Sequence, residues 1–357
     1  MLLALVLLAA VGCGPATDKP ITAAEVERQI VHLTTGSSFA RADAAKMLGA
    51  SGSERAVEPL SAALKDDSPR VRAAAAKALG DLRDIRALWP LTLAAATDTD
   101  AKVRDAAAEA VTWLGPDPDS EVHRMSRKVL LERMPQFDFE DQPFGDMAMA
   151  LCSYAHTSLR GGGSDGDFTR KKVTVHARNA TIAELWCRGL VGTGSRVSFV
   201  IHEPIQIGSV SRLTELVQKG KWLIAWTARR RAHAARTVEG QEVLRKLATS
   251  VREAVDEPVA LSDMLTYAAD LSGAKIEVDW PALKAIGIGQ DASVLTGGHK
   301  TLWRLLEGIA DEASSSSYGK GYVDFYVEGS KVIVTTRSAV EARVGKVPTT
   351  ATESQEE

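Results

Sequence analysis

Three segments of this chain repeat one another at a fixed spacing, and that constrains the fold more than any other feature. Arg41-Ala-Asp-Ala-Ala-Lys-Met-Leu-Gly49 recurs as Arg72-Ala-Ala-Ala-Ala-Lys-Ala-Leu-Gly80, and more loosely as Arg104-Asp-Ala-Ala-Ala-Glu-Ala-Val111. The arginines lie 31 and 32 residues apart, and the intervening Pro59 and Pro90 are again 31 apart. A unit of this length holds two helices and cannot bury its apolar face alone, so successive units must stack into an α-solenoid. The alanine runs let neighbouring helices approach closely. Leu48, Leu79 and Val111 supply an apolar stripe from the first helix of each unit, and Leu60, Leu64, Leu91 and Leu93 supply it from the second. Asp66-Asp67-Ser68-Pro69 and Asp98-Thr99-Asp100 precede the next helix, where side-chain oxygens can cap free N–H groups and Pro69 fits the first turn.

With these residues the segment resembles the HEAT repeat, in the short bacterial form also found in phycobilisome lyases: V-R-x-x-A-A-x-A-L-G, then A-V-x-P-L, then L-x-D-x-x-P. Val71 to Gly80 follows that pattern nearly residue by residue. The resemblance implies an all-α solenoid over residues 22–134 whose concave face holds a partner protein. It also implies that the recurring Arg, Lys and Asp positions are structural.

From Phe137 the periodicity changes. Phe137 to Glu140, Val173 to Ala177, Val197 to Ile201 and Ile205 to Ile207 read as strands, with helices opening at Phe144 and Thr181. The same order recurs downstream. Leu261-Ser-Asp-Met264 matches Phe144-Gly-Asp-Met147 at an offset of 117, and Thr301 to Leu306 matches Thr181 to Trp186 at an offset of 120. Lys275 to Asp279 and the pair Val323–Val327 and Val332–Val334 complete the second copy. Two β-α-β-β-α-β-β units are therefore expected, the first interrupted by a long Gly-rich insertion at Gly161 to Asp167. Gly273 to Asp279 and Leu302 to Val334 resemble the secretin/TonB short N-terminal (STN) domain, a small α+β periplasmic module. That resemblance implies ring building or the binding of signalling partners. A secretin or TonB receptor would continue into a long β-barrel, and the residues that follow here carry no such strands, so the chain is not expected to be a pore itself.

The fold class is thus multidomain: an all-α HEAT solenoid followed by two small α+β STN-like modules. The expected boundaries are a signal segment at 1–13, the solenoid at 22–134, a first module at 136–210, a basic helical connector at 211–252, a second module at 253–340 and a disordered tail at 341–357. The connector carries ten Lys or Arg and three Glu. Within it Arg229-Arg230-Arg231 lies close to Trp222 and Trp226, a combination able to touch anionic lipid or an acidic partner.

Met1 to Gly12 is an uncharged apolar run, too short for the ~20 residues of a membrane span and suited to the core of a secretory signal. Ala10-Val11-Gly12-Cys13 resembles a bacterial lipobox, which implies lipidation at Cys13, the periplasmic side of the envelope and, with Gly14 rather than Asp following, the outer membrane. Cys152 and Cys187 both fall in apolar helical stretches and read as buried thiols, although an oxidising periplasm would permit them to pair.

A net charge of −3 excludes a strongly basic nucleic-acid binder. Candidate chemistry is sparse. Cys152 and His156 have the i, i+4 spacing of metal ligands but no second pair. His202-Glu203-Pro204 begins like H-E-x-x-H without its second His. Gly162 to Phe168 resembles a single calcium-binding nonapeptide, and one copy does not complete a stacked site. No catalytic residue, cofactor or metal is expected. The sequence reads as a non-enzymatic, lipid-anchored envelope scaffold with protein partners and no nucleic acid, the STN-like modules offering a route to oligomers. The alternatives are a ring-building or accessory subunit of a secretin-type secretion or pilus assembly, and a bilin-lyase-like HEAT protein.

Overall fold

A computed structural model describes residues 21–155, 159–161, 168–201, 205–251, 257–295, 301–315, 317 and 320–346. Contacts divide the chain into two compact units between Gly220 and Lys221.

Among the described residues, the first unit opens with the α-helices α1 (Ala23–Thr35), α2 (Ser38–Ala50), α3 (Val57–Ala63), α4 (Pro69–Leu82), α5 (Leu88–Thr97), α6 (Ala101–Val111) and α7 (Glu121–Leu130). Helices α2, α4 and α6 carry the sequence repeat and stack on one another. Two glycines set how closely. A Cβ on Gly49 would stand 2.8 Å from Ala78 Cα, and one on Gly80 3.1 Å from Ala110 Cα, so a side chain at either position would push the helices apart. Leu48, Leu60, Leu64, Leu79, Leu91 and Val111 are buried as the stripe requires. Leu93 is not; it is 37% exposed and lies outside the core.

A ladder of arginines fastens the stack. Arg41 donates from Nε and Nη2 to Asp66 at 2.8 and 2.7 Å and from Nη1 to the Gly36 carbonyl. Arg72 repeats the pattern, with Asp98 at 2.7 and 2.9 Å and the carbonyl of Asp66. Each carboxylate also accepts the backbone N–H two residues on, Ser68 for Asp66 and Asp100 for Asp98, which fixes the turn before the next helix. Asp66 and Asp98 thus serve the ladder and the turn rather than capping a helix; the helix cap among these residues is Asp100, which accepts from the Lys102 amide.

The α+β part of the first unit consists of β1 (Arg133–Pro143), α8 (Phe144–Tyr154), β2 (Leu159–Gly161), β3 (Lys172–Thr181), α9 (Ile182–Gly192), β4 (Val197–Val200) and β5 (Ile205–Ser209). β1 pairs antiparallel with β3, and a three-stranded sheet has the order β2-β5-β4, with β5 parallel to β2 and antiparallel to β4. Helix α10 (Val210–Ala234) follows directly; Leu213 and Val217 join the apolar core of this unit.

The second unit contains α10 from Lys221, α11 (Val238–Leu247), β6 (Val259–Ala260), α12 (Leu261–Ser272), β7 (Lys275–Val278), α13 (Trp280–Ala285), β8 (Ser293–Val294), α14 (Leu302–Ser315), β9 (Val323–Glu328), β10 (Lys331–Thr336) and α15 (Arg337–Val344). Its strands repeat the first unit's arrangement: β6 is antiparallel to β8, and the sheet β7-β10-β9 again has one parallel and one antiparallel pairing. The β-α-β-β-α-β-β order therefore occurs twice with the same topology.

Two expectations change. The stretch 211–252 is not a separate solvated connector, because α10 belongs partly to each unit, and Ala234, Val243 and Leu247 are built into the apolar core of the second. Residues 341–344 are helical rather than tail, since Val340 and Val344 pack with Trp226.

Candidate partner-binding surfaces

The ladder has a third rung, and it is completed outside the repeat. Arg104 donates from Nη1 to the Asp98 carbonyl, as its predecessors do to their own turns, but its Nε reaches Glu184 on α9 at 2.9 Å. Glu184 is 3% exposed and also accepts from Arg188. Beside it Ser198 of β4 meets Thr92 of α5 at 2.6 Å in a buried contact. The exposed end of a stacked array needs a cap, and α9 with β4 provides one, Glu184 standing where a further repeat would have placed its aspartate.

With the ladder arginines occupied, the open part of the array lies along α2, α4 and the start of α6. A groove of about 530 Å³ runs there, floored by Ala42, Ala73 and Ala74. Phe39 stands at its edge, 63% exposed, with the Arg70 guanidinium stacked 3.9 Å from the ring centre. Lys46, Lys77 and Lys102 also line it. Lys46 is paired with Asp43 at 2.9 Å, and the second acidic lining residue, Asp100, is held as the α6 cap.

The arginine triplet of α10 splits. Arg229 and Arg231 are exposed, Arg229 donating to the Lys346 carbonyl and Arg231 lying 4.9 Å from the Trp303 ring centre. Arg230 is not a surface contact: it is 1% exposed and reaches Asp324 at 2.6 Å and Glu307 at 2.7 Å. Trp226 Nε1 donates to Asp324 at 2.7 Å, and Trp303 Nε1 to Glu307 at 2.8 Å. Phe325 lies beneath the Arg230 guanidinium at 4.5 Å. Burial pushes the Arg230 pKa down while Asp324 and Glu307 push it back up; a guanidinium stays protonated under such opposition. The spacing held the clue. Trp222, Trp226 and Arg230 are four residues apart and share one helix face, and two tryptophans on a face mark it as buried.

Cys152 and Cys187 are free and buried, and burial pushes both thiols up, away from the reactive thiolate. Among the described residues no group of His, Cys, Asp and Glu is arranged to hold a metal. No described helix is long and apolar enough to cross a membrane. Cys13, His156, residues 162–167, His202 and Glu203 lie outside the described residues.

The family profile of HEAT repeats matches residues 32–112, from within α1 to the turn after α6. No curated protein shows a significant match to the chain. HEAT repeats commonly mediate protein interactions, and here the HEAT segment carries both the arginine ladder and the groove.

Proposed function

We propose that this chain is a non-enzymatic scaffold of the bacterial envelope, anchored by a lipid on Cys13, with HEAT repeats and two STN-like modules as its binding surfaces. The observation that carries the reading is the groove on α2, α4 and α6, where an exposed phenylalanine and an excess of cations over carboxylates line an open face. The inert, buried cysteines accord with a binding role. The STN-like assignment of the modules is supported by their shared strand order and by the motifs at Gly273–Asp279 and Leu302–Val334. A photo-crosslinking residue placed at Phe39 of the full chain should trap a discrete set of envelope proteins. Trapping no different from that of a crosslinker at the exposed Val238 would overturn the scaffold reading. Deleting 22–134 is a poorer test, because it strips α9 and β4 of the helices they pack on. Incorporation of labelled fatty acid, abolished by Cys13→Ala, tests the anchor.

The duplicated topology favours a second reading, a ring-building or accessory subunit of a secretin-type assembly. Mass photometry showing only monomers across the accessible concentration range would count against it.

A further inference from the structure

We infer that the groove on α2, α4 and α6 binds an acidic, extended segment of a partner protein. The inference rests on the scaffold reading and names the chemistry of the partner.

Several charges of the array are already paired within the fold. Arg41, Arg72 and Arg104 are consumed by Asp66, Asp98 and Glu184. Lys46 is paired with Asp43, and the Asp100 carboxylate is held as a helix cap. Arg70 makes no ion pair and is parked on Phe39, while Lys77 and Lys102 have no hydrogen-bonded or ion-paired partner among the described residues. The groove is therefore lined by four cations, Lys46, Arg70, Lys77 and Lys102, against two carboxylates, Asp43 and Asp100, and keeps an excess of positive charge.

Their places in the repeat are informative. Phe39, Arg70 and Lys102 stand at equivalent positions, two residues before the ladder arginine of their own helix; Lys46 and Lys77 are equivalent to each other, five residues after it. Stacking brings these positions side by side, so the cations form two rows flanking a floor of alanine methyls. A floor made of Ala42, Ala73 and Ala74 is shallow and apolar and admits side chains of an extended strand but no deeply inserted helix ridge. Phe39 offers one aromatic face at the end of the row. A ligand that satisfies all of these is a short peptide with spaced carboxylates for Arg70, Lys77 and Lys102 and an apolar residue against the floor and Phe39. Carboxylates would draw the Arg70 guanidinium from the ring into a bidentate pair.

The probe is a fluorescein-labelled decapeptide of alternating Glu and Leu, with an alternating Lys and Leu peptide as its charge-reversed control, read by fluorescence anisotropy against the full chain. The Glu peptide should bind and the Lys peptide should not. The triple variant Arg70→Gln/Lys77→Gln/Lys102→Gln should weaken binding at least tenfold, and raising the salt should weaken wild-type binding in the same direction. All three side chains are exposed, so thermal melts should show the variant folded. Equal binding of the two peptides, or undiminished binding by the triple variant, would overturn the inference. So would a loss that instead follows Arg229→Gln/Arg231→Gln, which would place the acid-binding surface on α10. Crosslinked partners recovered from Phe39 equally well in wild type and triple variant would refute the acidic groove while leaving the scaffold reading intact.

Discussion

The two β-α-β-β-α-β-β modules have the same strand order and cover the same face, but they cover it with opposite chemistry. In each, the second long helix and the first strand of the closing hairpin, α9 with β4 or α14 with β9, are packed against helices that precede the module in sequence. Val197-Ser198-Phe199 and Val323-Asp324-Phe325 are the corresponding strands. Ser198 meets a threonine hydroxyl at 2.6 Å, whereas Asp324 meets Arg230, Trp226 and Arg337. A single polar position at the centre of one face has thus been filled by a neutral pair in one copy and by a buried ionic network in the other. A neutral pair can be removed whole at little cost, since both partners lose a desolvated group together. A buried charge cannot be half removed, because what remains is an unpaired ion in a medium that solvates it poorly.

The largest expected effect follows directly. Arg230→Met should destabilise the second unit by about 3–5 kcal/mol, the usual result of leaving buried carboxylates without their cation. Loss of hydrogen-exchange protection in α14 and β9, with the first unit unchanged, is the measurement. Arg230→Lys should rescue little, since an ammonium cannot span two carboxylates as a guanidinium does. Arg230→Met combined with Asp324→Ser, which rebuilds the first module's neutral position in the second, should be less damaging than Arg230→Met alone. If the double variant is worse than the single, the two faces are not equivalent and the comparison fails. One step smaller is Glu184→Gln, which weakens the third rung of the ladder while keeping its shape. A charged hydrogen bond to a buried partner is worth about 1.5–3 kcal/mol, so chemical denaturation of the first unit should shift by an amount in that range. Asp66→Asn, at a more exposed rung, should shift it less.

The ladder also shows what could be read from the sequence and what could not. The repeat declares itself because Arg, Ala and Gly recur at a fixed spacing, and the duplicated modules do so because their helix starts and hairpins keep nearly constant offsets. Local rules therefore expose the elements and their order. The seams between them are less legible. Glu184 stands three residues after Thr181 and reads as half of a capping box; Thr181 does accept the Glu184 amide, but the carboxylate turns away to Arg104, 80 positions earlier in the chain. Arg230 reads as one of three surface arginines because Asp324 and Glu307, which bury it, lie 94 and 77 positions later. Pairings of that separation are set by packing, which no local pattern encodes; the four-residue spacing of Trp222, Trp226 and Arg230 is the one local signal of a shared face, and from the sequence it reads as a surface contact. The open groove was likewise hidden, because which repeat cations are spent depends on where the ladder carboxylates point.

The neutral pair offers a sharper form of the same comparison. Thr92 donates to the Leu88 carbonyl at 2.7 Å and so accepts from Ser198. Thr92→Val leaves the Ser198 hydroxyl buried without an acceptor and should destabilise the first unit by about 1–2 kcal/mol. Thr92→Val with Ser198→Ala should restore most of that loss. A double variant no better than the single would mean that the hydroxyl pair does more than satisfy itself, and the contrast with the ionic face would lose its simplest explanation.

Acid should then separate the first unit's contributions by pH, with the smallest step of the series at His123. This side chain is buried, stacked on Trp113 and hydrogen-bonded from Nε2 to the Thr112 carbonyl at 2.7 Å. Burial holds its pKa below the ordinary histidine value, and Arg127 adds to the shift. The unfolded chain therefore takes up this proton first. The stability that neutral His123 contributes is complete above about pH 6.5 and drains as the pH falls toward the depressed folded value. A second loss belongs to Asp66, whose pKa is lowered chiefly by its hydrogen bond from Arg41, and to Asp98, where burial pushes up but the Arg72 and Asp100 contacts prevail. Their contribution is complete above the ordinary carboxylate range and disappears only as the pH falls through their lowered pKa values. Urea midpoints of the first unit should thus decline in two stages on acidification. His123→Gln should lower stability at neutral pH yet flatten the upper stage, leaving the lower one in place. An unchanged upper stage in that variant would assign the first loss to some other group and leave the arginine ladder as the acid-sensitive element of the HEAT array.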